Sequence, residues 1–74
     1  MYTLAGAQLT AREESIVALV AQSKSNKVIA FELCLTTGTI KEYLFTIFRK
    51  LNLPNRTAVA VWFINRPPAP IVPL

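Results

Sequence analysis

The amino-acid sequence predicts an all-α domain of four helices followed by a proline-rich tail, and three observations lead there. Apolar residues recur at helical spacing, most clearly over 36–51, TTGTIKEYLFTIFRKL. No stretch alternates apolar and polar residues as a half-buried strand would. Four residues suited to cap a helix, Thr10, Ser25, Thr36 and Asn55, each stand just ahead of a segment with helical character.

Residues 1–8 show no period and read as a flexible lead-in. The first helix begins at a capping box, Thr10-Ala11-Arg12-Glu13, with Leu9 placed to act as the hydrophobic staple. Ile16, Leu19 and Val20 then face inward, and the helix ends near Gln22. Glu13 lies on the same side as Ile16 and Val20, which makes it a cap partner able to pair with a basic residue of the third helix. Ser23-Lys24-Ser25 is a short polar turn. The second helix, capped by Ser25, spans two to three turns and buries Ile29, Ala30 and Leu33. Cys34 falls in the turn that follows, where the default is a small, buried or half-buried apolar residue.

The third helix is the longest and the most amphipathic. At about 100° per residue, Ile40, Leu44, Ile47, Phe48 and Leu51 fall on one side; Lys41, Glu42, Phe45 and Arg49 fall on the other. Two helices joined by three residues, the second longer and basic outside, form a helix-turn-helix. Pro54 biases Leu53 away from helical angles and ends the third helix. Asn55 caps a fourth, running to about residue 65, with Val59, Ala60 and Phe63 inward. Ala58, Val61, Trp62 and Asn65 line its opposite side; Trp and Val exposed together on so small a body point to a dimer contact. The alternative cover for Trp62 is the tail over 66–74, RPPAPIVPL, whose four prolines predict an extended or disordered segment.

Composition narrows the function. A chain of 74 residues, 53% apolar, makes one small domain over 9–65 with a dense core and no room for a cleft between lobes. Eight Lys and Arg against four Glu leave +4, which suits either a polyanionic partner or simple solubility. With no His, no Asp and one Cys there is no catalytic triad and no zinc site, so an enzyme, a metal, a cofactor and a small-molecule ligand are all unexpected. A lone cysteine and the lack of a secretory start fit a cytoplasmic protein. The apolar run over 58–64 falls far short of the roughly 20 residues a membrane helix needs.

The ordered segments LTARE, AQSKSNKVIAFEL, TTGTIKEYL and FRKLNLPNRTAVAVW resemble the LuxR/GerE-type DNA-binding domain of bacterial transcription regulators, without gaps over 9–64. The resemblance implies double-stranded DNA as partner, the third helix in the major groove and the fourth making a homodimer contact. The family usually carries this domain behind a phosphoacceptor or ligand-sensing domain; a start at Met1 with so short a lead-in favours a stand-alone regulator.

Lys41, Glu42 and Phe45 match the base-reading positions. Lys can donate to guanine, Glu can accept from cytosine and Phe can pack on a thymine methyl. Lys24, Ser25, Lys27, Thr36, Thr37, Tyr43, Arg49, Lys50 and Arg56 are the phosphate candidates. There are departures. Ser23 stands where Gly is usual, so a left-handed conformation there would be strained. Tyr43 replaces the usual His, and Val28, Phe31 and Phe45 occupy normally polar positions. Those three residues motivate the competing expectation of a degenerate helix-turn-helix acting as a protein-interaction module. A domain that forms heterodimers with a longer regulator of the same family is a further alternative.

Overall fold

The structure, a computed structural model, describes residues 9–66. It contains four helices, α1 (Ala11–Ala21), α2 (Asn26–Leu33), α3 (Thr37–Leu51) and α4 (Arg56–Asn65), and no strand among the described residues. The lead-in expected over 1–8 and the tail beyond Arg66 lie outside the described residues.

All four helices start where the sequence places their caps. The Thr10 hydroxyl accepts from the Glu13 N–H at 3.1 Å, Ser25 from Val28 at 3.2 Å and Thr36 from Thr39 at 3.1 Å. The Asn55 side chain accepts from the Ala58 N–H at 2.8 Å. Glu13 completes the capping box by accepting the Thr10 N–H at 2.8 Å. Each cap satisfies a backbone donor that the helix itself leaves open.

The first three helices end on a shared device. The N–H groups of Lys24, Leu35 and Leu53 reach back five residues, to the carbonyls of Leu19, Ala30 and Phe48 at 3.2, 2.8 and 3.0 Å. This closure needs a left-handed residue just before the donor. Ser23, Cys34 and Asn52 fill that place at φ 65°, 59° and 55°. None is glycine. Left-handed geometry costs an ordinary residue roughly 1–2 kcal/mol, and only Asn is well suited to reduce it. Leu35 and Leu53 pack against the core immediately after their turns, which offsets the strain. The Ser23 strain anticipated from the sequence is therefore present. Cys34 departs from expectation: it is exposed, because the left-handed turn carries it outward while Leu35 packs inward.

The core consists of Ile16, Val17, Val20, Ile29, Ala30, Ile40, Leu44, Ile47, Leu51 and Val59. Burying each large aliphatic side chain contributes about 1.5–3 kcal/mol. α1 packs chiefly along α4, and α2 along α3. Val17 is fully buried where the periodic reading had favoured Leu19, which is only half-buried. Leu33 and Phe48, expected inside, are likewise half-buried at the core margin. No described helix is long and apolar enough to cross a membrane.

Candidate nucleic-acid interface

The orientation of α3 follows from its own sequence. Ile40, Leu44, Ile47 and Leu51 anchor one side in the core, so Gly38, Lys41, Glu42, Phe45, Thr46 and Arg49 stand in solvent on the other. Neither the Lys41 nor the Glu42 side chain has a hydrogen bond or ion pair with another described residue. Phe45 is 62% exposed, and the Arg49 guanidinium lies over its ring at 5.7 Å from the centroid. A side chain added at Gly38 would meet only the Thr36 hydroxyl, at 3.9 Å, so packing within the chain does not demand glycine there. The three base-reading candidates thus share one outward surface.

The phosphate candidates divide into two groups. Lys27, Ser25, Thr36, Thr37 and Arg49 are exposed, with Ser25 and Thr36 at the positive ends of α2 and α3. The others are engaged within the fold. Lys24 pairs with Glu32 at 2.8 Å. Lys50 donates to both carboxylate oxygens of Glu13, at 2.8 and 3.1 Å. Arg56 donates to Asn26 Oδ1 at 2.5 Å and to the Lys24 carbonyl, binding the start of α4 to the start of α2. Tyr43 is half-buried against the core. Arg56 acts across 30 residues of chain, so its partner leaves no local signature in the sequence, and for Lys50, 37 residues from Glu13, only the Glu13 end was readable.

Charge is sorted the same way. Glu13, Glu14 and Glu32 each hold a cation, Lys50, Arg66 and Lys24 respectively. The excess positive charge therefore rests on Arg12, Lys27, Lys41, Arg49 and Arg56, opposed only by Glu42. Arg12 donates to the Leu33 carbonyl at 3.4 Å, at the end of α2.

The first turn of α1 serves as a junction. Glu13 is 4% exposed, and burial alone would raise the pKa of its carboxyl. The hydrogen bonds from Lys50 and Thr10, with the Lys50 charge, outweigh burial and hold it below its ordinary value. Its neighbour Glu14 accepts from both terminal guanidinium nitrogens of Arg66 at 3.0 Å. Arg66 also lies over the Trp62 and Phe63 rings, at 5.0 and 4.8 Å. The Glu13 pairing with a basic residue of α3 was legible from the helix face. The Glu14–Arg66 pairing was not.

On α4 the expected outer side is partly revised. Val61 and Asn65 are exposed and Ala58 is half-buried. Trp62 is half-buried and packs against the margin of the core, with the Arg66 guanidinium over its ring. Ile64, 66% exposed, joins Val61 on the outward surface, a position the inward/outward division had overlooked. The i, i+3 spacing of Val61 and Ile64 was the available signal. Beside α3 a shallow, open depression is lined by Glu13, Thr39, Glu42, Tyr43 and Thr46. No group of metal-binding side chains occurs among the described residues.

Comparison with known proteins gives a consistent result. The family model for bacterial regulatory proteins of the luxR family matches residues 7–63. An uncharacterized transcriptional regulatory protein of Bacillus subtilis, YvfU, is 46% identical over 52 residues, covering 70% of this chain and 26% of the relative. The nitrate/nitrite response regulator protein NarL of Escherichia coli is 42% identical over 55 residues, 74% of this chain and 26% of its own length. The transcriptional regulatory protein LiaR of Bacillus subtilis is 43% identical over 54 residues, 73% of this chain and 26% of its own. The chain spans about a quarter of the length of these curated relatives.

Proposed function

The chain belongs to the luxR family of bacterial regulatory proteins, and on that premise we propose that it binds double-stranded DNA sequence-specifically, with α3 in the major groove. Its helix-turn-helix is the DNA-binding type found in the family's transcription regulators, not an enzyme. One observation carries the finer reading: Lys41, Glu42 and Phe45 stand together, outward, on a helix whose other side is locked in the core. A helix presented in this way fits the width of the major groove. The exposed N-terminal ends of α2 and α3, with Lys27 and Arg49, supply contacts to phosphate. Gly38 lets a backbone or phosphate approach the first turn of α3.

Two copies, or one copy and a longer regulator of the family, pair through the outward surface of α4 at Val61, Ile64 and Asn65. Each then offers one α3 to a half-site. Affinity comes largely from phosphate neutralisation and falls as salt rises.

Selection of binding sites from random duplex DNA tests this reading. Lys41→Ala weakens binding to the selected site by roughly 10–100-fold and leaves random DNA nearly unaffected. Lys27→Ala weakens both and lowers the salt slope by about one. If neither change alters binding, α3 is not the reader.

A second reading has its own observation. Phe31 is 84% exposed and Val28 41% exposed on the outward side of α2, an apolar surface suited to a protein partner. If this is the working surface, Phe31→Ala abolishes partner capture, and DNA binding is weak and indifferent to sequence.

A further inference from the structure

Phe45 is the chain's clearest departure from a polar reading surface. Its ring is mostly in solvent, centred among hydrogen-bonding neighbours, and it belongs to no part of the core. Among the described residues, the Arg49 guanidinium, one turn further along α3, lies over the ring at 5.7 Å from its centroid. That distance lies within the range over which a cation is attracted to a ring face. The spacing of four residues places both on the same outward stripe. With one ring face toward Arg49, the remaining surface is open.

From this arrangement we infer that Phe45 is a specificity-determining residue that reads the C5-methyl group of a thymine, with Arg49 holding the ring. The inference rests on the DNA-binding reading above. An unbranched aromatic ring offers no hydrogen bond, so it cannot distinguish the donors and acceptors of a base edge. What it can sense is apolar volume, and in the major groove only thymine presents a methyl group. The adjacent Lys41 and Glu42 read by donating and accepting, so the stripe combines polar readout with one apolar detector. Arg49, held against the ring, also has its charge placed toward a phosphate beside the same base pair. Its two tasks are linked: the cation that steadies the ring also fixes the register in which the ring meets the groove.

Replacing thymine by deoxyuridine removes the methyl group and leaves every hydrogen-bonding atom unchanged. The test uses the full chain and the duplex obtained by site selection, with each thymine of a half-site replaced in turn and affinity read by fluorescence anisotropy. At one or two positions the replacement weakens the unmodified protein by about fourfold, the value of one buried methyl. Phe45→Ala binds the thymine and uracil duplexes equally at those positions. Arg49→Gln lowers the salt slope by about one and reduces the discrimination. Full discrimination retained in Phe45→Ala, or no uracil effect at any position, would overturn the inference while leaving DNA recognition by α3 intact. Full discrimination retained in Arg49→Gln would remove Arg49 as the positioning residue. Failure to select any site would overturn the DNA-binding reading, and this inference with it.

Discussion

The first turn of α1 and the outward surface of α3 invert the usual pattern in opposite directions. At the first, a charged residue, Glu13, is almost wholly buried; at the second, an aromatic one, Phe45, stands mostly in solvent. Yet the two exceptions differ in whether the chain itself accounts for them. Every demand of the Glu13 carboxylate is met internally, by Lys50 and by the Thr10 N–H. Among the described residues Phe45 has Arg49 over one face, and the ring remains mostly in solvent. An oddity that is satisfied at home belongs to the architecture, whereas one that is left open points outside the molecule.

The largest expected effect tests the internal half of this contrast. Lys50→Ala leaves a buried carboxylate without its cation and lowers unfolding free energy by about 2 kcal/mol in a urea titration. Phe45→Ala, by contrast, changes it by no more than about 0.5 kcal/mol, as surface changes usually do. Comparable losses in the two variants would break the contrast, since Phe45 would then be part of the fold.

A smaller effect comes from acid. The folded-state pKa of Glu13 lies below its ordinary value of 4.5, so its ionised form contributes stability that is fully present above that value. As pH falls through the lowered folded value, the contribution disappears. Melting temperature followed from pH 6 downward should fall more steeply in the unmodified protein than in Glu13→Gln. Parallel curves would show that other groups govern acid sensitivity.

The smallest effect separates stability from recognition. Ser23→Gly removes the side-chain penalty of a left-handed residue and raises stability by roughly 0.5–1 kcal/mol, after the entropy cost of glycine. DNA affinity should be unchanged, because Ser23 lies in the turn before α2 and not on α3. Thermal melts and a DNA titration on the same preparation check both halves.

What was legible in the sequence is what is local. Thr10, Ser25, Thr36 and Asn55 cap helices because a cap is decided within four residues. The outward placement of Lys41, Glu42 and Phe45 followed from the period of α3 alone. What remained hidden depends on distant partners. Arg56 looked like a surface cation until Asn26 was found opposite it, and the face of Glu13 announced a basic partner on α3 without singling out Lys50. Trp62 gave no sign of the Arg66 guanidinium over its ring, nor Glu14 of its pairing with Arg66, because 52 residues separate Glu14 from Arg66. Cys34 gave no sign of its left-handed turn, since the usual marker for that geometry is glycine or asparagine.

Between the residue that halts α2, Cys34, and the one that starts α3, Thr36, a single residue intervenes, and Leu35 is itself pinned to the core. The hinge has no slack. One additional residue there, absorbed into α3, would turn every later side chain by about 100° and swing the charged edge toward the interior. Spelling along the exposed edge can therefore drift during evolution while spacing cannot: the outward surface of such a domain is open to change by substitution and closed to change by insertion.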